Sequence, residues 1–452
     1  MILNLAYYYL VQIAKKHVLL APFIGGVEKL DQLEKRPKFI RSNFSPVVND
    51  VITSEIIDER DRKKKVYEIV KSLNKDEKTL IYFPTVTGIH DFVKDLDKDN
   101  VEFEIDTDNP EINEFIQWVN EEIHDDWYLV KAMKNGYLVH NGQLPVGIRL
   151  FQLDLYENSK KYNKLLCTST LLEGVNTSAK NIVITKPARG TKRMDLENFD
   201  AFDFYNLVGR SGRLFQHYVG KAYYIKGPSD PHYVKHEAVK NIQFEVTDTS
   251  QDMDIHNDNY TKHQNYQLFL NNLGITHKDY KENIGFRFRF GTIESLYESY
   301  RRNKHDLLSE LHKQFENTRR GRYPLVRILY KIFEGTDNRL YSNIINKLLY
   351  KSRPKLKTVI NEVHHYFRNV DLDVVISSAI RLKSSYIEYD FYAKLSVVLY
   401  YMRCEKVVER YIQIMDTKIK QVIDFLYFME FNNLRMLKDL GIYENDIQKL
   451  LK

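Results

Sequence analysis

The sequence predicts an α/β domain built on a parallel sheet, followed by an all-α C-terminal region. From about Lys78, short apolar runs alternate with helix-like patterns, the order expected of a parallel sheet with crossover helices. A polar, aperiodic run at 250–263 (SQDMDIHNDNYTKH) then interrupts the alternation and reads as a boundary. Beyond it, stretches such as LYESYRRNKHDLLSELHKQF and AKLSVVLYYMRCEKVVERYIQIM place apolar residues at helical spacing.

Taken in order, the N-terminus reads as an amphipathic helix followed by a buried strand at 18–21. Gln12 and Lys15-Lys16 break its apolar run too early for a span of about 20 residues. It has no basic leader and no small-residue cleavage site, so no membrane segment or signal peptide is expected. The charged stretch 28–65 shows little strand pattern and reads as a linker. Strands are expected at 79–83, 137–139, 165–168, 182–185 and 222–225, with helices at 87–96, 110–124, 145–157 and 199–211. Residues 78–249 then form the sheet domain and 250–452 the helical region, with 31–77 as the linker.

The 452 residues suffice for two or three hydrophobic cores, and a composition 43% hydrophobic and 28% charged sets disorder aside. A net charge of +6 permits a polyanionic partner without requiring one. Cys167 and Cys404 stand alone, with no metal-ligand neighbours in sequence. No disulfide framework or zinc site is expected, and a reducing cytoplasm fits best.

Three segments carry chemistry. Asn206-Leu-Val-Gly209-Arg210-Ser-Gly212-Arg213 ends a helix with two arginines, each after a glycine. Their guanidinium groups offer planar, permanently charged donors to a phosphoryl group gaining charge. The same residues also suit an ordinary surface loop. Upstream, Cys167-Thr168-Ser169-Thr170-Leu-Leu-Glu173-Gly174-Val175-Asn176 follows an apolar strand. Hydroxyls and amides at the carboxyl end of a parallel strand form a phosphate-binding rim, although capping residues of a plain turn look alike. His140-Asn141-Gly142-Gln-Leu-Pro145 sits between a strand and a helix, and Pro145 also suits a first helical position.

In this order, the segments resemble the motifs of the second RecA-like domain of superfamily 2 helicases, with a Ski-like DExH flavour. TLIYFPTV at 79–86 looks like motif IV, CTSTLLEGVNTSAKNIVI like motif V and NLVGRSGR like motif VI. The stretch FDFYNLVGRSGR is also similar to bacterial defence helicases of the Hachiman kind. The resemblance, which covers roughly 79–225, implies that Arg210 and Arg213 face the ATP γ-phosphate, with Gly209 and Gly212 permitting the approach. It implies that Gly174, Asn176 and Asn206 lie where nucleotide and strand binding are coupled. Asn206 stands where the family usually has Gln, and Thr177-Ser178 replaces Leu-Pro. Thr85, His140, Asn141, Gly142, Thr168 and Ser169 would follow the sugar-phosphate track of a single strand. Arg189, Lys192 and Arg193 of the loop KPARGTKR would join them.

No G-x-x-x-x-G-K-[ST] phosphate loop occurs; the one Gly-Lys pair, Gly220-Lys221, opens a strand. Asp58-Glu59-Arg60-Asp61 matches D-E-x-D, but it lies too close to motif IV and runs into Arg62-Lys63-Lys64-Lys65. HVLLAPFIGG at 17–26 resembles motif III, which makes 1–30 the remainder of a first RecA-like domain. ATP and Mg²⁺ are therefore expected as cofactors held mainly by a P-loop domain supplied in cis or in trans. The partners expected are that domain and single-stranded or partly duplex nucleic acid. The competing reading is a nucleic-acid-binding or assembly module that does not hydrolyse ATP. The Arg-aromatic run Phe286-Arg-Phe-Arg-Phe290 suits base stacking and the basic run 319–322 suits backbone contact, although solvated helix faces produce such charge runs more often.

Overall fold

The computed structural model describes residues 10, 13–18, 20, 23–28, 38–41, 48–96, 109–172, 177–190, 195–212, 217–243, 250–316, 323–350 and 355–426. Among the described residues, contacts group 14–243 into a sheet-bearing unit and 250–426, with Leu10 and Ile13, into a helical unit.

The strands of the first unit are β1 (Ile24–Glu28), β2 (Val48–Glu55), β3 (Thr79–Tyr82), β4 (Tyr137–His140), β5 (Lys164–Cys167), β6 (Asn181–Ile184), β7 (Ala188–Gly190), β8 (Leu196–Asn198), β9 (Val219–Lys226) and β10 (Lys240–Gln243). Six of them form one sheet in the order β2-β9-β6-β3-β5-β4, with every pair parallel. The inner strands β3, β5 and β6 are short and almost wholly apolar, as a sheet covered on both faces demands. TLIY and NIVI are buried at every position, as is YLVH on the edge strand β4. Parallel pairing needs crossovers, supplied by helices such as Val86–Leu96, Val146–Asn158 and Ala201–Val208. In the first, Ile89, Phe92, Val93 and Leu96 recur at helical spacing and are all buried.

The linker expectation fails at 48–72. Val48–Glu55 pairs with all of β9 and is the edge strand of the main sheet. Arg62–Ser72 is a helix that buries Val66, Ile69 and Val70 although it begins with four basic residues. The four successive basic residues wind round the whole first turn, and the apolar face at Val66, Ile69 and Val70 forms only after them, so the charged run concealed the helix. The buried strand expected at 18–21 is also absent at its described positions: Val18 and Leu20 are exposed. The strand starts later, at Ile24, and pairs in parallel with β10.

Two helix ends also differ from expectation. The helix expected to 211 stops at Val208, because Gly209 begins a turn, and the one expected to 124 stops at Glu122. The 250–263 run is not wholly irregular, since Ser250–His256 is helical.

The helical unit's described residues contain helices and no strands. Its longest helix, Phe290–Phe315, packs Tyr297 against Phe269 and Tyr401, at ring-centroid distances of 5.6 and 5.1 Å. Phe290, expected among the stacking aromatics, is instead buried in this core. Phe286 faces outward with Arg287 over its ring at 4.9 Å, and 319–322 lie outside the described residues. Among the described residues no helix is long and apolar enough to cross a membrane.

Candidate functional site

The sheet sorts the expected site residues onto its two ends. At the carboxyl ends of four neighbouring strands, β6 leads into the β7–β8 hairpin, β3 into Thr85, β5 into Thr168 and Ser169, and β4 into His140–Gly142. These pieces touch. Thr168 donates its N–H to the His140 carbonyl at 3.3 Å, and Gly190 donates to the Pro84 carbonyl at 3.1 Å. A Cβ at Gly190 would lie 3.3 Å from the Thr85 methyl, and one at Gly142 would press the Thr170 methyl at 2.7 Å. The result is one continuous rim of hydroxyls and backbone groups.

Within that rim the side chains differ in what they can offer. Asn141 is fully buried and builds the turn: its Oδ1 accepts from Gln143 N–H at 2.9 Å and its amide donates to the Tyr128 hydroxyl at 3.0 Å. Gly142 and Gln143 are left exposed at the tip. Thr85 is half-buried, and its hydroxyl accepts from Gly88 N–H at 3.1 Å. Arg189 is held by Glu197 at 3.2 Å and Asp203 at 3.5 Å, so a phosphate would have to compete with both. Lys192, Arg193, Gly174 and Asn176 lie outside the described residues.

His140 is buried, and its Nδ1 has no hydrogen-bond partner. Burial drives its pKa down to about 4, with Arg149 nearby acting the same way. The ring is therefore neutral in the folded protein while the unfolded ring titrates near 6.5. Between those values the unfolded chain binds the extra proton, so stability should fall as pH drops from about 6.5 to about 4 and then level off. The loss expected is about 3 kcal/mol, and His140→Gln should remove it. Urea unfolding of both proteins across that range checks this; parallel stability curves would sink it.

The motif VI turn lies at the opposite end. Asp200 caps the helix Ala201–Val208 by accepting from Asp203 N–H at 2.8 Å, and the helix runs back towards the amino ends of the strands. Asn206 is one turn before Arg210, both half-buried. The turn that follows is closed by Arg210 N–H to Leu207 O (3.0 Å), Ser211 N–H to Val208 O (3.1 Å) and Gly212 N–H to Ala179 O (2.8 Å). Gly212 has φ +81°, a conformation that costs a Cβ-bearing residue and suits glycine. Gly209 has φ −63° and no such need.

Burial lowers the Arg210 pKa, whereas Arg189 is raised, chiefly by Glu197. Arg213 lies outside the described residues. Thr177 and Ser178, which stand in place of Leu-Pro, are both buried; Ser178 binds Glu157 through N–H (2.9 Å) and Oγ (2.5 Å).

No family model matches the chain. It is 33% identical to anti-bacteriophage protein B of Escherichia coli (strain K12) over 228 residues, half of this chain and 29% of that protein. It is 30% identical to Hachiman protein HamB of Bacillus cereus over 105 residues, 23% of this chain and 9% of that protein. The chain is a homologue of part of each. The matched stretch spans less than a third of either relative's length. Two solved DEAD-box proteins also align, each over 40% of this chain at a TM-score of 0.26. They are SrmB of E. coli, at 10% identity over 78% of that chain, and a protein of Methanococcus jannaschii, at 14% over 36%. That TM-score is too low to carry an argument.

Several residues at these edges were missed in the sequence, Asn49, Arg62, Glu157 and Gly220 among them. The contacts of Asn49, Arg62 and Glu157 reach across 162, 168 and 21 positions, and no local pattern announces such pairing. Gly220 alone left a trace, as a glycine at the start of a strand.

Proposed function

We propose that this chain acts as the second motor lobe of an ATP-dependent nucleic-acid helicase. It would hold a single strand along the carboxyl rim and present Arg210 and Arg213 to ATP held by a P-loop lobe in cis or in trans. The observation that carries this reading is the sorting of the motifs: the strand-track segments share one end of a parallel sheet, and the motif VI turn is built at the other. A pure binding module has no use for such a turn. The names of the two homologous proteins support a setting in bacterial defence against phage.

The chemistry follows from the groups present. Backbone N–H groups and the hydroxyls of Thr85 and Ser169 suit phosphate and sugar oxygens, which position a strand without reading its bases. Arg210 fits a polyphosphate: its guanidinium is held charged against burial, so an approaching anion would restore what desolvation costs. Mg²⁺ does not fit the D-E-x-D run. Asp58 accepts from Arg60 Nε at 2.8 Å and Glu59 from Arg62 Nε at 2.7 Å, so both carboxylates already hold arginines. The metal ligands belong with the P-loop lobe.

Weak, sequence-tolerant binding to single strands is expected, falling steeply with salt. Each phosphate contact contributes a log–log slope of about −0.7. Replacing Lys192 and Arg193 together by alanine should weaken binding and flatten the slope by about 1 to 1.5. Fluorescence anisotropy on labelled oligonucleotides across a salt series reads both quantities. Affinity indifferent to salt and to these substitutions would remove the strand track from the proposal.

A further inference from the structure

The motif VI turn is gripped by a residue far away in sequence, on a strand that lies within the expected linker. Asn49, on edge strand β2, points its side-chain amide at three acceptors: Ser211 O at 2.6 Å, Ser211 Oγ at 3.1 Å and Val208 O at 3.2 Å. Val208 ends the helix, so its carbonyl is among those a helix leaves without an internal partner. Ser211 is fully buried, and its hydroxyl also donates to Val208 O at 2.8 Å. The cross-strand partner of Asn49 on β9 is Gly220. A Cβ at Gly220 would overlap the Ser211 carbonyl, so the glycine lets the turn sit directly on the strand ends. Gly212 completes the grip through Ala179, which leads into β6.

We propose that Asn49 is a positioning residue for Arg210 of motif VI; the inference rests on the motor-lobe reading above. Fixing the Ser211 carbonyl fixes the peptide plane between Ser211 and Gly212. That plane closes the turn in which Arg210 stands, one residue before Ser211, and so sets its heading. Asn49 itself touches no phosphate. Its effect reaches the reaction only through where the Arg210 guanidinium stands.

Misplacing a reacting group by about 1 Å costs on the order of 10²-fold in rate. Asn49→Ala should therefore lower kcat for ATP by about ten- to a hundredfold in the full chain joined to a P-loop lobe. KM for ATP should stay within about twofold, because the cradle that binds ATP lies on the other lobe. Asn49→Asp is the sharper variant. It keeps the shape but turns a carboxylate towards two carbonyl oxygens. Protonation restores a donor, so its kcat should recover as pH falls, a profile neither wild type nor Asn49→Ala shows.

The test is steady-state ATP turnover against pH for these proteins, with Arg210→Ala alongside and single-strand binding as a control at the far end of the sheet. A kcat loss at unchanged KM and unchanged strand binding, with acid recovery in Asn49→Asp alone, supports the role. Wild-type kcat in Asn49→Ala while Arg210→Ala is inactive overturns it and leaves the motor reading intact. Strand binding lost together with turnover also overturns it, since Asn49 would then hold the fold. If Arg210→Ala turns over normally, the motor reading fails and this inference with it.

Discussion

Replacing Arg213 by alanine is expected to cut ATP turnover of the reconstituted two-lobe protein by about 10³–10⁵-fold, the range for arginine fingers in related phosphoryl transfers. The chain alone should hydrolyse no ATP above background, because its sequence contains no phosphate-cradling loop. A matching P-loop domain, fused or added in trans, should restore turnover. Strand binding without nucleotide should survive Arg213→Ala nearly intact, since on the motor reading the side chain would act on developing phosphate charge. Arg213→Lys should rescue poorly, as one ammonium cannot reproduce a planar guanidinium. Single-turnover hydrolysis on the reconstituted pair decides the matter. Near-wild-type turnover by Arg213→Ala would discard the motif VI assignment and favour the module that binds without hydrolysing.

The second large effect concerns stability. Arg62 reaches from its helix to the carboxyl ends of β6 and β9, where its guanidinium donates to the Thr185 carbonyl and to Ile225 O at 2.7 Å. It also pairs with Asp230 at 2.6 Å and Glu59 at 2.7 Å; the Asp230 side chain is only 1% exposed. Burial works against the Arg62 charge, but its bonds to Glu59 and Asp230 outweigh that and raise its pKa. Arg62→Ala would leave the buried Asp230 carboxylate with the Gly227 N–H (2.8 Å) but no arginine, and would strand two carbonyls, which should cost about 3–5 kcal/mol. Lys186 Nζ, 3.7 Å from Asp230, is too long a contact to replace the lost bonds. Adding Asp230→Asn to Arg62→Met should recover part of the loss by removing the orphaned charge. Urea unfolding of the sheet-bearing unit measures both. A loss below about 1 kcal/mol for Arg62→Ala would show that water or Lys186 satisfies Asp230.

What could be read in the sequence follows from how local its cause is. TLIY, KLLC and NIVI are short apolar runs between helix patterns, and each became an inner strand within a residue or so of expectation. The rim residues were legible for the same reason, since Thr85, His140 and Thr168 each follow such a run. Val48–Glu55 hid because VNDVITSE contains no apolar run and is mostly exposed, and its partner β9 lies about 170 positions away. The helix Arg62–Ser72 hid behind its own lysines. The turn-building bonds of the Asn141 side chain were not legible, because its partner Tyr128 sits on the short helix Tyr128–Lys134, which shows too few turns to betray a period. Asn49 gave no signal at all: an asparagine in a polar stretch is unremarked until the fold brings the motif VI turn to it.

Three of the inner strands that separate the two edges, β3, β5 and β6, are only four residues long, roughly 13 Å of extended chain. They are buried almost throughout and laddered on both sides, so little in them can bend or slide. A body of this kind behaves as a short stiff lever. On the motor reading, a tilt imposed at the arginine end by closure on nucleotide would arrive at the rim undiminished, as a displacement of the whole lobe along the strand. Step size would then be set by the rotation between lobes and hardly at all by flexing within this one.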